Sequence, residues 1–351
     1  MLPWYQHIPF FSIVLMMIAG IFTSIVHRGR AALAVHLCAV SAVLAGNAAL
    51  FANIVPAGET FTYNLGIVGH PFGNELVCGP LEVTLALTFL TVMALCVLGG
   101  YKGIFEDIEP EKQNLYFVMC DLIMASLLAM VYTNDAFTAY VFIEINTISA
   151  CALVMAKDSG ATLVATIRYL MMSLLGSGMF LMGLTLLYHI TGHLLIIDIH
   201  EQVVHLAETG SYLLPLTVVM GLMTLGLCLK SALFPFHTWL PDAHGSATTS
   251  SSAILSGLVL KGYIVLLIKC IFSIFGEHIF RSFHVGDALL VMGVAAMVYG
   301  SVKAMGETHI KRMLAWSSVA QLGYVFMGIG LGTEAGVAAA CFQILAHAFT
   351  K

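Results

Sequence analysis

Residues 248–275 read TTSSSAILSGLVLKGYIVLLIKCIFSIF, and only Lys261 and Lys269 in this stretch are charged. A helix needs about 20 mostly apolar residues to cross the hydrocarbon core of a bilayer, and this stretch is long enough. Lys261 stands in its middle, with about two turns of mostly apolar sequence on either side. The stretch therefore predicts a transmembrane helix that carries a charged side chain at membrane depth.

The rest of the chain has the same membrane-protein composition. Of its 351 residues, 60% are hydrophobic and 9% are charged, whereas a soluble domain contains about 25% charged residues. We therefore predict an all-α integral membrane protein, a continuous bundle of about eleven transmembrane helices. The predicted spans are 8–26, 31–55, 80–101, 113–133, 136–156, 163–190, 212–235, 248–275, 284–304, 313–331 and 334–351.

The positions of Lys and Arg predict the orientation of these spans. Nine of these residues fall on one side of the membrane: Arg28, Arg30, Lys102, Lys112, Lys157, Arg168, Lys303, Lys311 and Arg312. Only Lys269 and Arg281 fall on the opposite side, and the remaining three lysines lie inside spans. Because cytoplasmic loops are enriched in Lys and Arg, we predict that the N-terminus lies outside and that loops 101–112 and 303–312 are cytoplasmic.

Composition also excludes several kinds of site. The net charge of −5 argues against nucleic-acid binding, which requires basic residues against phosphates. The eight cysteines include no CxxC pair, so neither a disulfide nor an iron–sulfur cluster is predicted. The segment 191–211 contains His200-Glu201 and His205, but zinc proteases place their histidines four residues apart and these are five apart. We predict no metal site and no cofactor bound by this chain.

Ionisable residues inside predicted spans are the candidate functional residues, because each costs at least about 2.5–3.5 kcal/mol at the centre of a membrane helix. Glu144 lies near the middle of the fifth span and shares a helical face with Tyr140, Thr147 and Cys151. Asp121 in the fourth span is a second acidic candidate. A structural carboxylate that pins a neighbouring helix is the alternative interpretation for both.

Lys230 precedes Pro235, whose ring cannot continue a helix and leaves the Ser231 carbonyl without its helical donor. Interrupted helices at membrane depth line cavities or are buried in protein, and transporters use their ends as ion sites. We therefore predict a break near Ser231–Pro235 with Lys230 beside it; a lysine that reaches back to the cytoplasmic surface is the alternative.

Lys261 is too deep in its span to reach the membrane surface easily. In the last span, Gln343, His347 and Lys351 share one helical face. Burial disfavours the charged form of a lysine, and a nearby carboxylate favours it. A Glu144–Lys230 pair whose separation changes would thus load and release a proton. For Lys351, an ordinary charged helix end is the alternative.

Four runs carry a resemblance to a known family. They are 230–244 (KSALFPFHTWLPDAH), 252–261 (SAILSGLVLK), 310–324 (IKRMLAWSSVAQLGY) and 346–351 (AHAFTK). Together they resemble the antiporter-like subunits of respiratory complex I, Mrp-type cation/proton antiporters and membrane-bound hydrogenases. The resemblance covers about residues 113–351, and the first hundred residues are similar only in hydropathy.

The resemblance implies a 14-helix fold with two inverted five-helix repeats, of which this chain would hold helices 1–3 (1–112), the first repeat (113–275) and the start of the second (284–351). The chain would then be either a fragment or a form that lacks the second half-channel, and we expect a fragment because no helix C-cap or breaker precedes the end. It also implies that Glu144 pairs with Lys230 in the broken helix and that Lys261, His347 and Lys351 continue the pathway. The remaining candidates from the first run are His237, Asp242 and His244.

The implied function is translocation of H⁺ or Na⁺ by a subunit with no catalytic chemistry of its own, among other membrane subunits in the plasma membrane of a bacterium or archaeon. Three alternatives remain. A haem-binding redox protein would need histidines facing each other on adjacent spans. A stand-alone solute transporter would also have inverted repeats and a broken helix, but with a central cavity. A structural subunit would use its buried charges only to hold helices together.

Overall fold

The computed structural model describes residues 3–65 and 73–351. Their contacts separate into two compact units, Met1–Thr166 with Ser246–Val259 and Ile167–Gly245 with Leu260–Lys351. The resemblance divides the chain by structural repeats instead, into 1–112, 113–275 and 284–351, and this division stays a prediction.

The first unit is a helical bundle with one small sheet. Its long helices are those whose sequences are apolar enough to cross a membrane. The elements are α1 (Ile8–Ile25), α2 (Gly29–Ala57), β1 (Phe61–Leu65), β2 (Asn74–Cys78), α3 (Pro80–Gly99), α4 (Tyr101–Asp107), α5 (Gln113–Tyr132), α6 (Ala136–Met155), the start of α7 (Gly160–Thr191) and α11 (Thr249–Ile254) with the π-helical turn Leu255–Val259.

The sheet is the one feature of this unit that hydropathy does not predict. Strands β1 and β2 pair antiparallel, with Phe61 opposite Cys78 and Leu65 opposite Asn74. They lie in the segment 56–79, which the sequence marks only as a loop without Lys or Arg. In β1, apolar Phe61, Tyr63 and Leu65 alternate with polar residues, a period-two pattern typical of a strand. A search for apolar runs long enough to span a membrane does not detect it.

The ends of two helices in this unit follow from local chemistry. Pro56 lies within the last turn of α2, and the helix ends at Gly58, whose φ of 65° is left-handed. Glycine adopts this conformation at no steric cost, so Gly58 and not Pro56 ends the helix. Helix α6 begins after Asp135, whose carboxylate accepts a hydrogen bond from the Thr138 amide at 2.5 Å, as an N-cap does.

The second unit is helical throughout. It contains the rest of α7, α8 (Ile196–Glu208), α9 (Leu213–Lys230), a 3₁₀ turn (Phe236–Trp239), α10 (Leu240–Ser246), α12 (Leu260–Lys269), a π-helical turn (Cys270–Phe275), α13 (Gly276–Ser282), α14 (Val285–Met305), α15 (Ile310–Gly330) and α16 (Glu334–Thr350). Segment 191–211, which lies between the sixth and seventh predicted spans, contains α8.

The predicted spans agree with the helices to within a few residues, except around the break and at the end of the eighth span. Within the described residues, ten helices are long and apolar enough to cross a membrane. The eleventh predicted span is α16, which has 17 residues. Residues Thr249–Ser282 form one helical stretch of 34 residues, longer than the predicted 248–275 because α13 continues it.

The predicted interruption at Lys230 is confirmed. Helix α9 ends at Lys230, and Ala232 adopts a left-handed φ of 54°. The Leu233 amide turns back to the Cys228 carbonyl at 3.1 Å, which closes the helix as a C-terminal motif does. The helix thus ends five residues before Pro235, so the proline lies in the break and does not begin it.

Helices α7 and α9 approach each other closely inside the second unit. A Cβ atom placed on Gly176 would lie 2.7 Å from the Gly226 carbonyl oxygen, and one on Gly226 would lie 2.6 Å from the Gly176 oxygen. Small residues allow such backbone approach between membrane helices. The Gly176 position also faces the Lys230 side chain, whose Cγ would be 3.1 Å from the added carbon.

We therefore expect Gly176→Ala to destabilise the protein by about 1–3 kcal/mol, since an added methyl group in a packed interface forces the helices apart. The measurement is the thermal unfolding midpoint of the purified protein in detergent. Gly178→Ala is the matched control: nothing lies within 4 Å of a Cβ at that position, so alanine there is neutral or stabilising through its helix propensity. Equal midpoints for both variants would contradict the close approach.

Candidate functional site

Lys230 is fully buried at the end of the broken helix. Its side chain is 0% exposed, so the alternative of a lysine reaching the surface does not hold. Its Nζ atom lies 5.3 Å from the centre of the Tyr263 ring, within the range of a cation–π interaction. The ring of Tyr263, two residues after Lys261, provides a favourable surface for the ammonium group inside the protein.

Four further candidates come together in the second unit. His347 interacts electrostatically with Lys261, Lys351 and His244, and His244 interacts with both lysines as well. Lys261 is 1% exposed and lies in α12, directly after the π-helical turn Leu255–Val259. Helices α10, α12 and α16 thus bring two histidines and two lysines within electrostatic range of one another.

His347 is the least satisfied member of this cluster. It is 2% exposed, and neither ring nitrogen has a hydrogen-bond partner within residues 3–65 and 73–351. Lys351 donates from Nζ to the Leu314 carbonyl at 3.0 Å. A buried imidazole with free nitrogens accepts and donates protons readily when water or another group reaches it.

His237 lies among aromatic rings. Its ring centre is 5.4 Å from Phe234, 5.3 Å from Tyr299 and 5.3 Å from Trp316. The side chain is 3% exposed, and its Nδ1 atom has no hydrogen-bond partner in the described part of the chain. The Phe234 ring stacks on the imidazole, and the Tyr299 and Trp316 rings pack against it edge to face. The place of His237 in the ion pathway stays a prediction.

Asp242 forms two ion pairs in the second unit. Its Oδ2 atom accepts from Arg168 Nη1 at 2.6 Å, and its Oδ1 atom accepts from Arg312 Nη1 at 2.9 Å. Arg312 also bonds Glu307, whose pKa is lowered chiefly by the hydrogen bond from the His309 amide. Asp242 thereby ties α10 to α7 and α15, and its place in the ion pathway stays a prediction.

The acidic candidates lie in the first unit. Glu144 is half-buried in α6 and interacts electrostatically with Tyr140 one turn away. Thr147 and Cys151, on the predicted polar face, are buried at 0% and 7% exposure. The expected Glu144–Lys230 pair joins residues of different units and stays a prediction.

Asp121 belongs to a buried polar cluster of three helices. Its carboxylate accepts from Thr23 Oγ1 at 3.0 Å and lies 2.7 Å from His36 Nδ1. All three side chains are 0% exposed. The contacts join α1, α2 and α5, so the structural interpretation of Asp121 has a concrete geometry, and its role in the pathway stays a prediction.

The histidines that imitate a zinc motif are used differently. His200 Nδ1 lies 3.0 Å from the Ile274 carbonyl oxygen. Within the residues that the structure describes, no group of three or more His, Cys, Asp or Glu side chains could hold a metal ion. The absence of a bound cofactor stays a prediction.

Comparison with known proteins identifies the family. A family model described as "NADH:quinone oxidoreductase/Mrp antiporter, TM" matches residues 133–351, which is more than half of the chain. The chain belongs to this family. It is therefore an integral membrane protein of the antiporter-like class, and the resemblance drawn from the four sequence runs is confirmed.

Individual relatives agree with this assignment. The chain is 31% identical over 320 residues to an NADH-quinone oxidoreductase subunit N of Desulforudis audaxviator, covering 90% of this chain and 62% of the relative. It is 26% identical over 288 residues to a subunit of the Na(+)/H(+) antiporter of Alkalihalophilus pseudofirmus, covering 82% and 56%. The chain thus spans between half and two thirds of the length of these relatives.

Two solved structures share the fold. One is an archaeal respiratory membrane complex, the membrane-bound sulfane sulfur reductase, with a TM-score of 0.88 at 25% identity over 97% of this chain and 68% of that one. The other is the Mrp complex from Dietzia sp. DQ12-45-1b, with a TM-score of 0.85 at 24% identity over 99% and 62%. The antiporter-like fold predicted from the sequence is confirmed.

Sequence reasoning missed the partners of the candidates. The contact of Tyr263 with Lys230 and the ion pairs of Asp242 with two arginines could not be predicted from residue spacing. Each of these contacts joins residues more than 30 positions apart. His36 stands alone in its span, so nothing in the sequence assigns it to Asp121 85 positions away. Only the packing of the helices reveals these pairs.

Proposed function

We propose that this chain translocates protons, or exchanges Na⁺ for protons, as the antiporter-like subunit of a multi-subunit membrane complex of the respiratory, hydrogenase or Mrp type. The observation that carries the proposal is the set of buried ionisable side chains on the broken helix and its neighbours, above all Lys230 and Lys261 at 0% and 1% exposure. Such residues in a membrane protein are rare and mark ion pathways.

The electrostatic cluster of the second unit supports a proton pathway. Its members are His244, Lys261, His347 and Lys351. Lysine and histidine both release a proton when their surroundings disfavour the charged form. In a cluster of mutually repelling cations, a proton that arrives on one group disfavours the charge on the next, so protonation at one end promotes release at the other.

The Glu144–Lys230 pair supplies the coupling step in this proposal. With the carboxylate near, the ammonium form of Lys230 is favoured and the lysine binds a proton. When the carboxylate withdraws, the buried ammonium is disfavoured and the proton passes to the next group. The names of the relatives, one from an NADH-quinone oxidoreductase and one from a Na(+)/H(+) antiporter, make both H⁺ and Na⁺ candidate ions.

The test uses the intact complex that contains the full-length chain, reconstituted in sealed vesicles. A pH-sensitive dye reports proton movement and a Na⁺-selective probe reports sodium movement, with a matched preparation that lacks this chain. We expect a pH change that requires the chain and collapses with a protonophore. Equal movement of both ions with and without the chain contradicts the proposal. Sodium movement without proton movement would leave translocation standing and exclude the proton pathway.

A further inference from the structure

Three long helices of the first unit meet in two buried polar layers. The first, the ionisable layer, consists of Thr23, His36 and Asp121, from α1, α2 and α5. Asp121 Oδ2 accepts from Thr23 Oγ1 at 3.0 Å, and Asp121 Oδ1 lies 2.7 Å from His36 Nδ1. All three residues are 0% exposed. One proton therefore lies between the imidazole and the carboxylate, whichever of the two groups carries it.

The second layer joins the same three helices through neutral groups. This neutral layer consists of Ser12, Asn47 and Tyr132. Asn47 Nδ2 donates to Ser12 Oγ at 2.9 Å, and Tyr132 donates its hydroxyl to Asn47 Oδ1 at 2.6 Å. On each helix the two layers are eleven positions apart, from 12 to 23, from 36 to 47 and from 121 to 132, which is about three turns.

The neutral layer shows that these helices can be joined without ionisable groups. Hydroxyl and amide side chains form hydrogen bonds between membrane helices, whereas an ionisable side chain at membrane depth is costly and rare. Helix association alone therefore does not explain a histidine and an aspartate in the ionisable layer. These two residues differ from the neutral layer in one property, which is that they gain and lose protons.

The first unit supplies no buried lysine or arginine to balance the Asp121 carboxylate. Among the residues that the structure describes, the buried ones of these two types are Lys230 and Lys261, and both belong to the second unit. With a neutral imidazole, the ionisable layer would thus carry one buried negative charge, which is destabilising without a partner. With an imidazolium, the charges of His36 and Asp121 cancel.

The other titratable side chains on the elements packed around the ionisable layer do not supply this positive charge. Arg30 of α2 is exposed, and His7 lies before the far end of α1, where its Nδ1 atom is 3.1 Å from the Tyr63 hydroxyl. Cys120 interacts electrostatically with Asp121 and with Cys96. The remaining groups are acids: Glu75 of β2, Glu82 of α3 and Glu144 of α6.

The imidazole has one atom left at which a proton can bind. His36 Nε2 has no hydrogen-bond partner in the part of the chain that the structure describes. Because Nδ1 faces the carboxylate, Nε2 is the atom that gains or loses a proton. An unpaired N–H group is less costly than an unbalanced buried ion, so the form with a proton on Nε2 is favoured.

The ionisable layer lies near one end of its three helices. Thr23 is two residues before the end of α1, and the exposed residues His27 and Arg28 follow. His36 and Asp121 lie about two turns after α2 and α5 begin. Between the two layers, α1, α2 and α5 contain no Asp, Glu, Lys, Arg or His. The near end, beside His27, is therefore the side from which a proton reaches His36.

A proton fits this layer better than a metal cation does. Hard cations bind to several oxygen atoms at once, and the ionisable layer offers one carboxylate and one hydroxyl. One carboxylate oxygen already faces the His36 ring at 2.7 Å, and imidazole nitrogen is a ligand for transition metals and not for hard cations.

We propose that His36, Asp121 and Thr23 form a proton-binding site of the first unit, which takes up and releases its proton at His36 Nε2. In uptake, a hydronium ion gives its proton to Nε2 and leaves as water, and release is the reverse. Asp121 acts through His36 and is a positioning residue. The site is independent of the proposed function, because neither His36 nor Thr23 belongs to the pathway proposed there.

The test reads the protonation of His36 in membranes that contain the intact complex with the full-length chain. The C2 hydrogen of a histidine ring exchanges in D₂O at a rate that depends on ring protonation, and mass spectrometry of peptides resolves each histidine. At pH 7 we expect the imidazolium form of His36. In Asp121→Asn we expect most His36 rings to be neutral, because asparagine keeps the shape of the side chain and removes the charge that stabilises the imidazolium.

Tyr132→Phe is the matched control, since it also removes a buried hydrogen bond between α5 and α2 and leaves both ionisable residues in place. We expect His36 to stay protonated in this variant. An equal loss of the imidazolium form in Tyr132→Phe and Asp121→Asn would show that protonation follows helix packing, and it would overturn the site. A neutral His36 ring in the wild type, or no exchange at His36 after exposed His27 has exchanged completely, would overturn it too.

His36→Gln tests the charge balance from the other side and does not depend on assembly of Asp121→Asn. Without the imidazole, the buried carboxylate has no cation beside it, so we expect Asp121 to bind the proton itself. Infrared difference spectra against the wild type should then show the carbonyl stretch of a protonated carboxylic acid, which shifts when the complex is made with ¹³C-labelled aspartate. No such band would mean that Asp121 stays charged without His36, which contradicts the proposal.

Sodium distinguishes the two candidate ligands of Asp121. At constant pH, we expect added Na⁺ to leave the protonation of His36 unchanged. Loss of the His36 proton on addition of Na⁺, but not of an equal concentration of choline, would show that a metal cation competes for the carboxylate and would overturn the assignment to a proton. All of these measurements report protonation and not transport, so their outcome does not depend on whether the complex translocates ions.

Discussion

Replacing Lys261 with alanine is expected to lower ion translocation by about tenfold or more, equivalent to at least about 1.4 kcal/mol in the rate-limiting barrier, while the complex still assembles. Lys261 is 1% exposed and interacts electrostatically with His244 and His347. In the proposed function these groups pass protons across the second unit, and removal of Lys261 would interrupt them. The rate is measured in vesicles that contain the intact complex, normalised to the amount of this chain.

Lys261→Arg is expected to fail as well, for a different reason. The guanidinium group keeps the positive charge but does not release its proton at any accessible pH. A normal rate in Lys261→Arg would mean that this position needs a positive charge but that its side chain does not release a proton. Lys269→Ala is the matched control, because Lys269 is a half-buried lysine on the same helical stretch and is not assigned to the pathway. Translocation at the wild-type rate in Lys261→Ala would falsify the proposed role of Lys261 in proton transfer.

Lys230→Met and Glu144→Gln are each expected to lower translocation by about tenfold or more, and the double variant is expected to lose no more than either single one. Residues that act as one unit show this non-additivity. Methionine is a flexible apolar side chain one atom shorter than lysine, so the change removes the charge and its cation–π contact with Tyr263 while keeping most of the packing. Glutamine likewise keeps the shape of Glu144.

The control for charge alone is Lys102→Met, since the Lys102 side chain is 85% exposed and a surface charge contributes little. The informative result is the double variant. Losses that multiply would show that Glu144 and Lys230 act independently, which contradicts the coupling step even if each residue is required. Native electrophoresis of all variants confirms that the complex assembles.

The membrane spans are determined by the sequence alone. A run of about 20 apolar residues has no stable conformation in a bilayer other than a helix, because every backbone amide needs a partner inside the segment. This is a local requirement, so the helix from Gln113 to Tyr132 differs by one residue from its predicted bounds. The break at Lys230 is also readable, because Pro235 excludes a continuous helix.

The cause of that break was only partly readable. The chain leaves the helix at Ser231 and turns at Ala232, which has a left-handed φ of 54°. Alanine has no intrinsic preference for this conformation, so the surrounding packing imposes it. The sequence therefore located the break to within a few residues, and the tertiary structure decided its first residue.

The candidate site divides in the same way. Burial of Lys261 followed from its place in the middle of a long span, because a charged residue there must face protein. Burial of Lys230 did not follow, since a lysine reaching the cytoplasmic surface was an open alternative. Their neighbours did not follow. The Tyr263 ring at Lys230, the arginines at Asp242 and the His36–Asp121 contact depend on which helices pack together.

The physical reason is the range over which each force acts. Transfer from water to the bilayer acts on every apolar residue whatever its neighbours are, so the spans could be predicted from the sequence alone, as the break could from Pro235. Helix association in a membrane depends on close fit, such as that between Gly176 and Gly226, because lipid is as apolar as the helix surfaces. Only the folded chain could therefore decide which side chains meet, and with them the cluster around Lys261.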